Sequence, residues 1–202
     1  MTVVAGLVLG GAAGPVLAAT HHHSRFSNVY VIAVWRSKVH LSHGQSEFTT
    51  TYVNLSEYEG RITARVAREL VKCKRVSGHT HCRLVSFSAG SARNLTATQV
   101  SIDRKKLQSA HLDAAIKLRT FVRGKRTTTS TVTVVTDWTG TGKIRRNGGV
   151  ESFRSGCIHF HDVFHGKTRA ATATGTFGKI ALGSARNAFL ATNTDSFIEH
   201  RC

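Results

Sequence analysis

Apolar and polar residues alternate with period two through most of this chain. In TTTSTVTVVTDW (127–138), Val132 and Val134 alternate with Thr131, Thr133 and Val135, and the β-branched content makes this the clearest predicted strand. Segments 46–55 (SEFTTTYVNL) and 167–177 (KTRAATATGTF) read the same way. Segment 29–35 (VYVIAVW) is apolar at every position, which predicts a central strand covered on both faces. Two stretches fit two periods. Ile62, Val66 and Leu70 have helical spacing, but Ile62, Ala64 and Val66 also alternate. Leu107, His111, Ala114 and Leu118 suit a helix, whereas Leu112, Ala114, Ile116 and Leu118 suit a strand. The β surroundings favour strands for both. Turn signals stand at His43-Gly44, Ser77-Gly78, Arg123-Gly124, Asn147-Gly148-Gly149 and Gly183-Ser184. Their spacing predicts an all-β, antiparallel β-sandwich or barrel of about eight to ten strands, with room for one short helix.

The ends of the chain read differently. Residues 3–18 (VVAGLVLGGAAGPVLA) form a short apolar run ending in small residues, so 1–19 is expected to be a secretory signal cut after Ala18 or Ala19. No Lys or Arg precedes the run, a departure from the usual signal. Residues 20–27 (THHHSRFS) read as a flexible N-terminal spacer, and 28–202 as one β-rich domain. No later stretch is long and apolar enough for a spanning helix, so the expectation is a secreted, extracellular protein without a transmembrane anchor. Four cysteines in an exported chain favour two disulfides. Cys73–Cys82 would close a short hairpin, and Cys157–Cys202 would tie the last residue to the body.

Charge changes the picture most. The chain carries 28 Lys and Arg against 11 Asp and Glu, a formal net charge of +17. That exceeds the magnitude of about 2–8 that solubility asks of a small domain. The cations cluster at turns: Lys72, Lys74 and Arg75; Arg104, Lys105 and Lys106; Arg123, Lys125 and Arg126; Lys143, Arg145 and Arg146. If those turns share one end of the fold, they form a cationic rim for an anionic partner. Such a partner is a cell-wall polyanion, a polysaccharide or extracellular nucleic acid. Charged turns also serve to block edge pairing in β proteins.

The residues also bear on three further chemistries. On a strand, Cys157, His159 and His161 share a face and His165 follows, a pattern that offers imidazoles to copper or zinc. No cofactor is otherwise expected. Catalysis has little support: there is no G-x-S-x-G elbow, and Gly140-Thr141-Gly142-Lys143 lacks the first Gly and the Ser or Thr of a phosphate loop. Glu57 and Glu59 share a strand face, but their surroundings (LSEYEGR) read as a strand end or turn. A hydrolase inhibitor would need a protruding loop, for which the Cys73–Cys82 hairpin is the obvious candidate. The sequence therefore favours a non-enzymatic binding or envelope-associated protein, with a metal-binding protein as the alternative and a hydrolase or its inhibitor as a third class.

Overall fold

The computed structural model describes residues 20–185 and 187–201, so the apolar run at 1–19 and Cys202 lie outside the described residues. Among the described residues the protein is all-β, with eleven strands and no helix. They are β1 (Thr20–His40), β2 (Gln45–Tyr58), β3 (Arg61–Val76), β4 (His79–Arg93), β5 (Val100–Ile102), β6 (Ser109–Val122), β7 (Thr128–Gly140), β8 (Arg145–Ser155), β9 (Ile158–Phe177), β10 (Ile180–Ala181) and β11 (Asn187–Arg201). Antiparallel pairing runs β1–β2–β3–β4–β6–β7–β9–β11 and returns from β11 to β1. The sheet thus closes as an up-and-down barrel, which removes most of its open edges. Both ambiguous stretches are strands: 61–70 lies in β3, and β6 covers Ser109–Val122.

The period-two pattern decides the inside. Val29, Val31, Ala33 and Trp35 of β1 are buried, as are Val53 and Leu55 of β2, Leu112, Ala114, Ile116 and Leu118 of β6, and Val134 and Trp138 of β7. An eight-stranded barrel is just wide enough for side chains like these to fill. The segment 29–35 is not covered on both faces as its composition suggests. Tyr30 is 38% exposed, and Ile32 and Val34 are only partly buried. A barrel has one packed interior, so the even positions of β1 face outward. Trp138 crosses that interior and donates its Nε1–H to the Ile32 carbonyl at 3.1 Å.

Three other expectations change. Residues 20–27 are the first part of β1, paired with 194–201 of β11. Asn147-Gly148-Gly149 lies inside β8 and makes no turn. A Cβ on Gly149 would stand 2.6 Å from the Phe164 ring, so this glycine admits the neighbouring aromatic. The turn to β9 falls instead at Gly156, which has φ 55°. The Ser77-Gly78 turn is as expected, with both residues at positive φ between the paired Val76 and His79. Beyond it, Cys73 and Cys82 face each other in the β3–β4 register and form a disulfide. The Cys202 half of the second expected bridge lies outside the described residues. The β9–β11 register reaches Ile158 opposite Arg201, the immediate neighbours of Cys157 and Cys202.

The strands exceed the barrel in length. β9 pairs with β7 only over Ala171–Phe177, and its first half, Ile158–Thr168, pairs instead with β8. With β11 and the start of β1, this makes a β-arm rising from one end, called here the upper end. At the lower end the β3–β4 hairpin and its disulfide extend past the β6–β7 turn.

Candidate anion-binding cleft

Facing residues in an antiparallel ladder share a sheet face, so the register alone assembles the site. Arg146 of β8 faces Lys167 of β9, which faces Thr192 of β11, which faces Val29 of β1. One step out on the same face, Gly148 faces His165, which faces Thr194, which faces Ser27. Val29 is an interior residue, so this face is the barrel's inner wall continued into the arm. There its residues turn from apolar to cationic and hydroxylic. They line a cleft of about 480 Å³ with Arg104 and Asn147, and no carboxylate is among its lining residues.

Arg104 arrives on the loop between β5 and β6. Its Nε donates to Glu57 Oε2 at 2.8 Å, and its Nη2 lies at the same distance from that oxygen. Asp103 shapes the turn beneath. Its Oδ1 accepts the backbone N–H groups of Lys105 and Lys106, and its Oδ2 accepts that of Gln108. The Lys106 N–H is the largest cause holding the Asp103 carboxyl below its ordinary range. The Gln108 and Lys105 N–H groups and the Lys106 charge add to it, against the desolvation of the carboxyl. Next to this turn Leu107 is fully buried with φ 51°, closing the upper mouth of the barrel. Glu57 is therefore an anchor for the turn, while Glu59 sits in the β2–β3 turn at φ 49°, and the two do not form a catalytic pair.

The basic turns do not form one rim. Arg104, Lys105 and Lys106 precede β6, and Lys143, Arg145 and Arg146 follow β7, which places both groups at the upper end. Arg123, Lys125 and Arg126 follow β6 at the lower end, where Arg123 shares a shallow groove with Lys72 and Arg83. At about 3.3 Å per residue, the length of β6 separates the two groups by roughly 40 Å. Of the twelve residues singled out by charge, the structure gathers Arg104 and Arg146 on the cleft.

The histidines lie on the same continued face. His161 Nδ1 is 2.8 Å from Ser152 Oγ, and His159 and His161 border an open groove with Ser152, Phe153, Arg154 and Phe160. His165 lines the main cleft. At strand rise, His165 is about 20 Å along β9 from His159. Among the described residues, no group of three or more His, Cys, Asp or Glu side chains is placed to hold a metal. The sequence reading missed Lys167. Extending the period-two series 159, 161, 165 by one step reaches it.

Compared with protein-family models, with curated proteins and with solved structures, the chain shows no significant match.

Proposed function

We propose that the protein is a secreted, non-enzymatic binding protein that engages an anionic polymer through the upper cleft. The observation that carries this reading is the direct pairing of Arg146 with Lys167. Like charges facing each other across a ladder oppose folding, and among the described residues neither Arg146 nor Lys167 has an acidic partner. A bound phosphate, sulfate or carboxylate relieves that repulsion. The flanking Ser27, Thr192 and Thr194 hydroxyls offer the neutral donors such a ligand also uses. Arg145, Lys143, Lys105 and Lys106 stand at the same end and extend the field along a chain longer than the cleft. The Cys73–Cys82 bridge accords with an oxidising compartment, and a Cys157–Cys202 bridge would pin the tip of the arm that carries the cleft.

The test is binding of the oxidised chain to a duplex oligonucleotide, a sulfated polysaccharide and a glycerol-phosphate teichoic acid, from about 50 to 500 mM salt. Retained affinity for one polymer near physiological salt is the expected result. The double variant Arg146→Glu, Lys167→Glu should then lose at least tenfold in affinity and flatten the salt slope. The lower-end variant Arg123→Glu, Lys125→Glu should change binding little. Equal loss in both variants, or loss in neither, overturns the assignment to the cleft.

A further inference from the structure

The lower mouth of the barrel holds a charge that the upper cleft does not explain. Arg68 of β3 faces Thr51 of β2, which faces Trp35 of β1, and on its other side Arg68 faces Ser88 of β4, which faces Thr120 of β6. Trp35 and Thr51 are 4% and 2% exposed, which marks this row as inward-facing. The row below it on β1 and β2 adds Ser37 opposite Thr49. The inner wall, apolar through Val53, Val66 and Leu118, therefore becomes a collar of hydroxyls at this end, with one guanidinium in its midst.

That guanidinium has an unusual setting. It lies 5.1 Å from the centre of the Phe177 ring, which comes from the opposite wall of the barrel. Partial burial lowers its pKa from the ordinary arginine value, and no carboxylate offsets that burial. Among the described residues it makes no hydrogen bond or ion pair. Arg68 is half-buried, and a charge partly withdrawn from water with no counter-charge leaves part of its lost hydration uncompensated. Beside it is a recess of about 70 Å³, bordered by Ser37, Thr49, Thr51 and Arg68 and by Ile180–Leu182. The Trp35 Nε1–H donates to the Gly183 carbonyl at 3.1 Å and holds that border segment against the wall.

We propose that this recess is a second, independent anion site, one that takes a single small tetrahedral oxyanion, phosphate or sulfate, on Arg68. The guanidinium fork presents parallel N–H donors to two oxygens of such an ion. The Thr49, Thr51 and Ser37 hydroxyls supply donors to the others. The space suits one tetrahedral ion and not a polymer segment. The nearby Phe177 ring already restrains the guanidinium, so less side-chain freedom is lost on binding. The ligand is either the free ion or the terminal group of a phosphate monoester, since the chemistry at the recess is the same for both.

Titration calorimetry and ³¹P line broadening with inorganic phosphate, on the oxidised chain, test this site. Inorganic sulfate and glycerol phosphate serve as parallel ligands. Saturable binding of one ion per chain is expected in addition to any ion held by the upper cleft. This binding is weakened at least tenfold in Arg68→Gln and several-fold in Arg68→Lys, which keeps the charge but not the fork. It should persist in Arg146→Glu, Lys167→Glu, so failure of the upper cleft leaves this proposal standing. Binding of phosphate and sulfate marks the free ion as ligand. Binding of glycerol phosphate alone marks a monoester, and either result supports the site. Near-UV circular dichroism of Trp35 and Trp138 verifies that each variant is folded. If Arg68→Gln folds and binds like the parent, or if no ligand of the three binds the parent, the proposal is wrong. Should Arg68→Gln fail to fold, Thr49→Val and Thr51→Val replace it, and unchanged affinity in both is equally fatal.

Discussion

Arg169 of β9 donates its Nη1–H to the Lys106 carbonyl at 3.1 Å, and its Nε–H reaches the Gly142 carbonyl at 3.2 Å. One side chain thus fastens the turn carrying Arg104 to the turn leading to Arg146. Arg104 and Arg146 are 42 residues apart in sequence, and this link adds to the Arg104–Glu57 pair and to the Gly140 N–H bond to the Gln108 carbonyl. Arg169→Ala should lower stability by about 1–2 kcal/mol through the two lost hydrogen bonds. It should also weaken polyanion binding although Arg169 itself stands outside the cleft lining. Urea unfolding alongside the salt titration checks both. Unchanged binding would mean that the two turns hold their places without it.

Asp103 links the same turn to pH. Its folded carboxyl titrates below the ordinary value, so its contribution to stability is complete above the unfolded carboxylate pKa. That contribution is lost as the pH falls through the folded one. As the pH falls below the ordinary carboxylate range and through the folded pKa, the Lys105, Lys106 and Gln108 amides should lose their acceptor, and polyanion binding should weaken with them. Amide chemical shifts followed from pH 6 to 2 report this directly. In Asp103→Asn those amides should already resemble the acid form at pH 6, and a parent-like spectrum would remove Asp103 from this role.

Gly90 lies where β4 approaches β6, a seam that runs only from Ser86–Val122 to Gly90–Leu118. A Cβ there would overlap the Lys117 carbonyl and stand 3.0 Å from the Leu118 side chain. Gly90→Ala should cost about 1–3 kcal/mol, because the backbone must move to admit one methyl. Thermal unfolding measures it, and a shift of less than about 1 °C would show that the seam can yield.

Thr136 makes the opposite case. It is fully buried in β7, and its Oγ1 has no hydrogen-bond partner among the described residues. Thr136→Val keeps the shape and removes the unpaired hydroxyl. The variant should be more stable by about 0.5–1.5 kcal/mol, a rise of a few degrees in Tm. A loss of stability would mean that the hydroxyl is satisfied in solution.

The disulfides can be separated. Cys73 and Cys82 enclose a short loop with a sequence separation of 9, so Cys73→Ser with Cys82→Ser should cost about 2–3 kcal/mol. Peptide mapping of the unreduced chain should recover Cys73 with Cys82 and Cys157 with Cys202. Any crossed pair would contradict the register that places β9 beside β11.

The β class was legible because a strand writes itself locally. Leu112, Ala114, Ile116 and Leu118 alternate with Asp113, Ala115 and Lys117 and all face inward. The Cys73–Cys82 pairing was legible for a related reason, since the Ser77-Gly78 turn between them sets the register at short range. Asn147-Gly148-Gly149 misled because glycine records freedom without saying what uses it. Here the use is the approach of Phe164 from another strand. Composition likewise named the basic turns but not their grouping. Arg104 and Arg123 look equivalent in the sequence and stand at opposite ends of β6.

By itself, then, the chain determined its strands, its principal hairpin turns and its excess of positive charge, all properties of residues close together along the backbone. Closure of β11 onto β1 belonged to the tertiary structure alone. So did the choice of which face of β1 is covered, the meeting of Arg146 with Lys167, and the placement of a half-buried Arg68 among hydroxyls. Each of these depends on which strand lies beside which. Burial and charge repulsion act through space between residues that period-two alternation cannot relate.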